Sequence, residues 1–366
     1  MQNKRILTLD LIKGGAVIGM VIVHTFLTYA NVNLRDANIL GYAIGALGRG
    51  TAVFLISMGI TFMTSKNQSV ISAIKRAFTL VLVGILMNFL KFMIPIFFNA
   101  MPSNFMDKFN WGDEIPLGMK YLYLVLLGDI LQLAGMSLFF IGFIRKYVSN
   151  KFGILAIGIA VAAVSRELNG FIIDLPVLNY ITDLLFVNKY PARIFFPVFP
   201  WISFIIIGMF FGKWFEEMKY DQPALVKKML LLGSVFIIMG APLVYFFRDY
   251  HYNGFFKMGF GGVMYYGGWV LIFLWILYQF TNYMNRESLI IRTLKYCSKN
   301  LTTMYVIQWA LISWGKGIFG YRNSRFASVF LLIILFMILT FLLQYSIDFI
   351  LNLKNKEYTK IKLKKT

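Results

Sequence analysis

The sequence predicts an all-α, polytopic integral membrane protein of about ten transmembrane helices, with both termini on the cytoplasmic side. Three observations predict it. The 366 residues are 59% hydrophobic and only 14% charged, and the mean hydropathy is +0.70. A soluble domain this apolar would lack the polar surface to cover itself. Apolar runs of about 20 residues recur along the whole chain, and helices are one of two ways to satisfy a backbone in hydrocarbon. Finally, Lys and Arg concentrate in alternate connecting segments, the pattern that sets membrane orientation.

The predicted spans are 8–30, 38–64, 75–98, 121–143, 150–166, 194–214, 226–247, 262–284, 298–318 and 327–351. The first is long, polar-striped and without a small-residue cleavage site, so it reads as a retained helix and not a signal peptide. The stretch 171–187 is apolar but interrupted by Pro176, and it reads as a re-entrant or interfacial helix on the outer side. With the N-terminus inside, the inner segments carry Lys4 and Arg5, then Lys75 and Arg76, Arg145 and Lys146, Lys227 and Lys228, Arg292 and Lys295, and the lysine-rich tail. No loop is long enough to hide a soluble domain, so residues 1–366 read as one membrane-embedded domain with a basic tail from about 352.

Composition also excludes function classes. One cysteine, Cys297, excludes an intramolecular disulfide and any cysteine-based metal site, and His24 and His251 are the only histidines, so no metal centre is expected. The net charge of +20 belongs to cytoplasmic loops and anionic lipid in such a chain, not to nucleic acid. The two outer loops, around Asp107, Asp113 and Glu114 and around Glu167, Asp174 and Asp183, are acidic and aromatic. They read either as solvated loops or as the approach for a polar acceptor such as a sugar.

The first span carries the most informative pattern. At about 100° per residue, Asp10, Lys13, His24, Thr28 and Asn31 fall on one helical face. The orientation puts Lys13 toward the inner end and His24 toward the outer end, roughly 16 Å apart along the axis. Ionisable groups in hydrocarbon are costly and mark functional paths. His24 reads as an interhelical hydrogen-bond partner, a general base or a proton relay.

Further polar residues lie at membrane depth. Arg49 sits between Gly48 and Gly50, where a helix or ligand can approach the backbone, and a guanidinium there can pair a carboxylate or clamp a phosphate. Asn88 and Lys91 share the third span, and Asp129 and Gln132 share the fourth; a buried pair of Arg49 or Lys91 with Asp129 is one structural reading. Arg193 precedes Pro197, Pro200 and Trp201, a broken helix start that suits either a ligand cavity or an interfacial aromatic belt. His251 reads as an exposed loop residue, with an acceptor-site role as the alternative.

The segment RILTLDLIKGGAVIGMVIVH resembles the first helix of the transmembrane acyltransferase superfamily, whose pattern is LD-x-x-RG with a histidine eleven residues after the arginine. FLISMGITF, IKRAFTLVLVGILMNFL, GDILQLAG, FPVFPWISFIIIGMFFG and CSKNLTTMYVIQWALI follow in the family's order. They resemble the branch with the heparan-alpha-glucosaminide N-acetyltransferase catalytic domain, over about residues 5 to 315. Two departures stand out. Lys13 replaces the motif arginine, keeping the charge without the planar fork. The animal heparan enzyme has its catalytic histidine in the loop after the first helix, whereas this chain has no histidine from 25 to 50. The resemblance therefore implies His24 as the catalytic histidine, as in bacterial polysaccharide O-acyltransferases.

The same resemblance implies an acyltransferase that moves acetyl from cytoplasmic acetyl-CoA to a hydroxyl or amine of an extracytoplasmic sugar or glycan. Asp10, Lys13, Arg49, Lys91, Arg193 and Trp201 are the expected donor-binding residues. Expected partners are acyl-CoA, the glycan and membrane lipid, with a homodimer open. The expected location is a bacterial or archaeal plasma membrane. The competing reading is a transporter or flippase of a lipid-linked sugar, with the polar stripe as its path.

Overall fold

The computed structural model describes residues 6–65, 69–109, 111–171, 173, 175–186 and 194–363, of which 106, 108, 176, 177 and 354–363 are described as backbone alone. Arg193 and the charged residues Lys4, Arg5, Asp174 and Lys189 lie outside the described residues. The chain is an all-α polytopic membrane protein. Among the described residues, eight helices are long and apolar enough to cross a membrane: Leu7–Tyr29, Ile39–Thr64, Val70–Phe97, Ile130–Tyr147, Val198–Glu217, Gln222–Phe246, Phe260–Tyr283 and Phe326–Leu353.

The other two predicted spans form shorter helices. Lys151–Val164 has 14 residues, about 21 Å at 1.5 Å per residue, against a hydrocarbon core of about 30 Å. The segment 298–318 is broken at Asn300, which lies between the helices Leu289–Lys299 and Leu301–Trp314. The predicted fourth span also starts late. Asp129 and Gln132 form a reciprocal capping box that begins the helix at Ile130, and Leu117–Val125 is a separate helix. The stretch 171–187 does contain a helix, Pro176–Leu185, with the proline in its first turn.

The chain divides into two compact units. The first comprises Met1–Ile12, Arg49–Phe89 and Met106–Ile291. At its centre the helix Val198–Glu217 is buried along most of its length, from Trp201 through Phe204 and Phe211 to Phe215. It crosses Thr51–Thr64 at two glycines. A Cβ on Gly59 would lie 2.0 Å from the Ile205 carbonyl oxygen, and one on Gly208 would lie 2.1 Å from that of Ile56. Glycine at both positions lets the backbones touch, the way membrane helices gain packing when hydrocarbon supplies no hydrophobic drive. Asn88 fixes a second contact by donating to the carbonyls of Val125 and Leu127, at 3.1 and 2.7 Å.

The second unit comprises Lys13–Gly48, Leu90–Phe105 and Arg292–Thr366. Its core joins Val21, Phe26 and Tyr29 of the first helix to Ile312, Val329, Leu332 and Phe336. The Tyr29 hydroxyl donates to the Ile312 carbonyl at 2.6 Å. Gly14 permits a backbone approach here as well, since a Cβ would lie 2.0 Å from the Leu294 oxygen. Asp348 is held by Tyr296, whose hydroxyl donates at 2.7 Å, and by the Gln344 amide at 3.1 Å.

Candidate functional site

The second unit gathers two ionisable side chains on one indole. The imidazole of His24 stacks on Trp309, with ring centroids 4.0 Å apart and an interplanar angle of 23°. Tyr305 presents a ring at 6.0 Å and 68° to the same imidazole. The ammonium of Lys91 lies 3.4 Å from the Trp309 ring centroid and 4.9 Å from that of Phe92. Cation–π contact of this kind is worth about 2 kcal/mol or more when desolvated, and Lys91 is 5% exposed.

Local chemistry explains how Lys91 arrives there. The helix Val70–Asn88 runs into a π-helical turn, Phe89–Met93, just before Pro95. A proline clashes with the carbonyl four residues earlier, here that of Lys91, and a widened turn relieves the clash. The Trp314 indole donates to the Leu90 carbonyl at 2.8 Å and anchors this turn in the second unit. The extra residue per turn breaks the simple i, i+3 relation of Asn88 and Lys91. Asn88 bonds carbonyls within the first unit, and Lys91 reaches Trp309 within the second.

A second buried lysine lies in the same unit. Lys316 is 3% exposed. Its Nζ donates to Ser313 Oγ at 3.1 Å and sits 3.9 Å from the Phe105 ring centroid and 5.7 Å from that of Phe92. Phe92 thus borders both ammonium groups. The aromatic faces hold two cations at low exposure, one of them on the same indole as an imidazole that can take or give a proton.

The remaining residues of the sequence pattern have mixed positions. Asp10, Lys13 and His24 lie on the continuous helix Leu7–Tyr29, each half-buried, and Thr28 is buried. Asn31 is not part of the stripe's helix; it caps the next short helix by accepting from the Leu34 N–H at 2.9 Å. Arg49 lies at the break between Ile39–Gly48 and Thr51–Thr64 and is exposed. In the first unit, Trp201 is fully buried among Phe196, Phe204 and Phe255, with its indole N–H directed at the Phe256 carbonyl at 3.4 Å. Asp129 is the cap described above. His251 is half-buried and not exposed; its Nδ1 accepts from the Gly261 N–H at 3.2 Å, and burial pushes its pKa down. Glu167 accepts from the Tyr250 hydroxyl. Arg193 lies outside the described residues.

Sequence reasoning places a span at 298–318 and a family segment there, but assigns none of its residues to the site that receives His24. Tyr305, Gln308 and Trp309 lie at i, i+3 and i+4 on Leu301–Trp314 and share one face. The available signal was Gln308, an amide in an otherwise apolar run, which membrane helices tolerate only with a reason.

The chain matches the family described as "Heparan-alpha-glucosaminide N-acetyltransferase, catalytic" over residues 5–249. The match covers about two thirds of the chain, and the protein belongs to this family. Membership implies a membrane acetyltransferase. The match includes His24 and Lys91 and ends before Tyr305, Gln308 and Trp309. A comparison with curated proteins finds no match.

Proposed function

We propose that this member of the heparan-alpha-glucosaminide N-acetyltransferase catalytic family transfers acetyl from cytoplasmic acetyl-CoA to a hydroxyl or amine of an extracytoplasmic sugar, with His24 as general base. The observation that carries the reading is the contact of His24 and Lys91 with one indole. A base-capable ring and a fixed cation are there held together inside apolar helices.

The chemistry follows from that pairing. The acceptor O–H or N–H attacks the thioester carbonyl carbon while the imidazole takes its proton. The carbonyl π pair moves onto oxygen, and the buried cations favour that negative charge. Collapse restores the C=O bond and breaks C–S, and the imidazolium returns the proton to the departing thiolate. The products are an acetyl ester or amide and free CoA.

Lys91, which the sequence also offers to the donor, meets the thioester end in this reading. Lys13 and Asp10, at the other end of the first helix, serve the pantetheine or phosphate end. Arg49 and Arg193 remain proposed phosphate contacts, and Trp201 a proposed donor contact. The test is acetyl transfer from labelled acetyl-CoA to a panel of sugars by the purified protein in lipid nanodiscs. Acetylated sugar supports the reading. Sugar flux in proteoliposomes without acetyl-CoA, with no transfer in nanodiscs, favours the transporter alternative.

A further inference from the structure

Among the described residues, Gln308 is the one amide side chain with both polar atoms buried and neither hydrogen-bonded. The side chain is 0% exposed. A helix in hydrocarbon gains nothing from such a group, since a buried amide without partners bears its full desolvation cost. The neighbouring Trp309 repeats the pattern. Its ring takes His24 and Lys91, yet its Nε1 is buried without an acceptor. Thr25, next to His24 on the first helix, is 0% exposed and its Oγ1 has no partner either. Buried helical hydroxyls elsewhere go both ways: Ser57 bonds the Val53 carbonyl and Thr340 that of Phe336, whereas Ser137 and Ser203 also lack a partner, so the amide and the indole carry the argument.

These groups share a location. Tyr305, Gln308, Trp309 and Ile312 lie at i, i+3, i+4 and i+7 on one face of Leu301–Trp314. The first helix covers both ends of that face, through His24 on Tyr305 and Trp309 and through the Tyr29 hydroxyl on the Ile312 carbonyl. Gln308 lies between Tyr305 and Trp309, within the stretch that meets His24. Two N–H donors without acceptors therefore occupy the helix layer that holds the imidazole.

We propose that Gln308 Nε2–H and Trp309 Nε1–H are the donors that receive the thioester carbonyl oxygen as it becomes an oxyanion. The proposal rests on the acetyl-transfer reading above and adds two catalytic residues to it. The group transfer is the one already balanced: acceptor oxygen or nitrogen bonds the carbonyl carbon, the π pair goes to the oxygen facing the donors, and collapse expels the thiolate. Donors held in place before the reaction need no reorganisation when the charge develops, which is where such groups act most strongly. The desolvation cost carried by the resting protein is then recovered in the transition state. Such donors act on developing charge more than on bound substrate, so they raise kcat more than they lower KM.

The experiment compares full-length wild type with Gln308→Leu and Trp309→Phe in nanodiscs, measuring kcat, KM for acetyl-CoA and Tm. Gln308→Leu removes an unpartnered amide, so Tm is expected to hold or rise. Its kcat is expected to fall about 100-fold or more, the usual loss for one oxyanion donor, with KM changed less than about threefold. Trp309→Phe keeps an aromatic face for His24 and loses the N–H, and its kcat is expected to fall by at least about tenfold. Wild-type rates in both variants overturn the donor pair and leave the acetyl-transfer reading standing. A Gln308→Leu variant that loses Tm and rate together shows a structural amide and also overturns it. A wild type that transfers no acetyl group sinks the acetyl-transfer reading, and the donor pair with it.

Discussion

Trp201 and Trp309 are the same residue in two regions with opposite surroundings. Trp201, in the first unit, is enclosed by three phenylalanines and directs its N–H at a backbone carbonyl. Trp309, in the second unit, meets an imidazole and an ammonium and leaves its N–H without an acceptor. The first has its polar group directed at the fold's own backbone. The second carries polar capacity that the fold does not use. The contrast separates the two units more widely. The first also buries Asn88 and Gln132 but spends their amides on backbone carbonyls, whereas the second holds Lys91 and Lys316 on aromatic rings and leaves Gln308 without a partner.

Truncating each indole is the sharpest way to break this comparison. Trp201→Ala is expected to destabilise the fold by about 3–5 kcal/mol, the range for deleting a buried large aromatic. Trp309→Ala is expected to cost less stability than that while removing at least about 100-fold of acetyl transfer, because the base loses its support. Thermal unfolding and transfer rate, measured on both variants, check the pair. Equal effects on both readouts would erase the distinction.

Lys91→Met keeps a long apolar side chain and deletes the cation. The expected result is a loss of about tenfold in kcat/KM, equivalent to ~1.4 kcal/mol. Stability should change by about 2 kcal/mol, the scale of a desolvated cation–π contact. Unchanged transfer would reduce Lys91 to packing. The smallest effect is expected at Asp129, which the sequence offers as a charge partner and the structure uses as a cap. Asp129→Ala should lower stability by about 1 kcal/mol, as cap removals do, with kcat unaltered in the folded fraction.

Much of this was legible in the sequence, and the reasons are local. Span length and composition give the membrane class. Pro197 and Pro200 announce the irregular start at Phe199, whose backbone is non-helical. Gly48 and Gly50 announce the break at Arg49. The stripe on the first helix singles out His24. Other features depend on pairing that spacing does not encode. Trp309 meets His24 across 285 positions of sequence, and nothing in either segment names the other. The π turn depends on how Pro95 acts on the carbonyl of Lys91, so a plain i, i+3 count on that span misplaces the lysine. Asn31 and Asp129 looked like polar residues at membrane depth because a cap and a buried charge share the same residue types.

In the proposed mechanism His24 performs the chemistry without holding the donor. The direct test is His24→Ala in nanodiscs, with acetyl-CoA binding by calorimetry beside acetyl transfer from labelled acetyl-CoA. The expected result is donor affinity within about threefold of wild type and a transfer rate lower by about 100- to 10,000-fold, the span of general acid–base contributions. Transfer retained in His24→Ala, or a wild type that binds no acetyl-CoA, would contradict it.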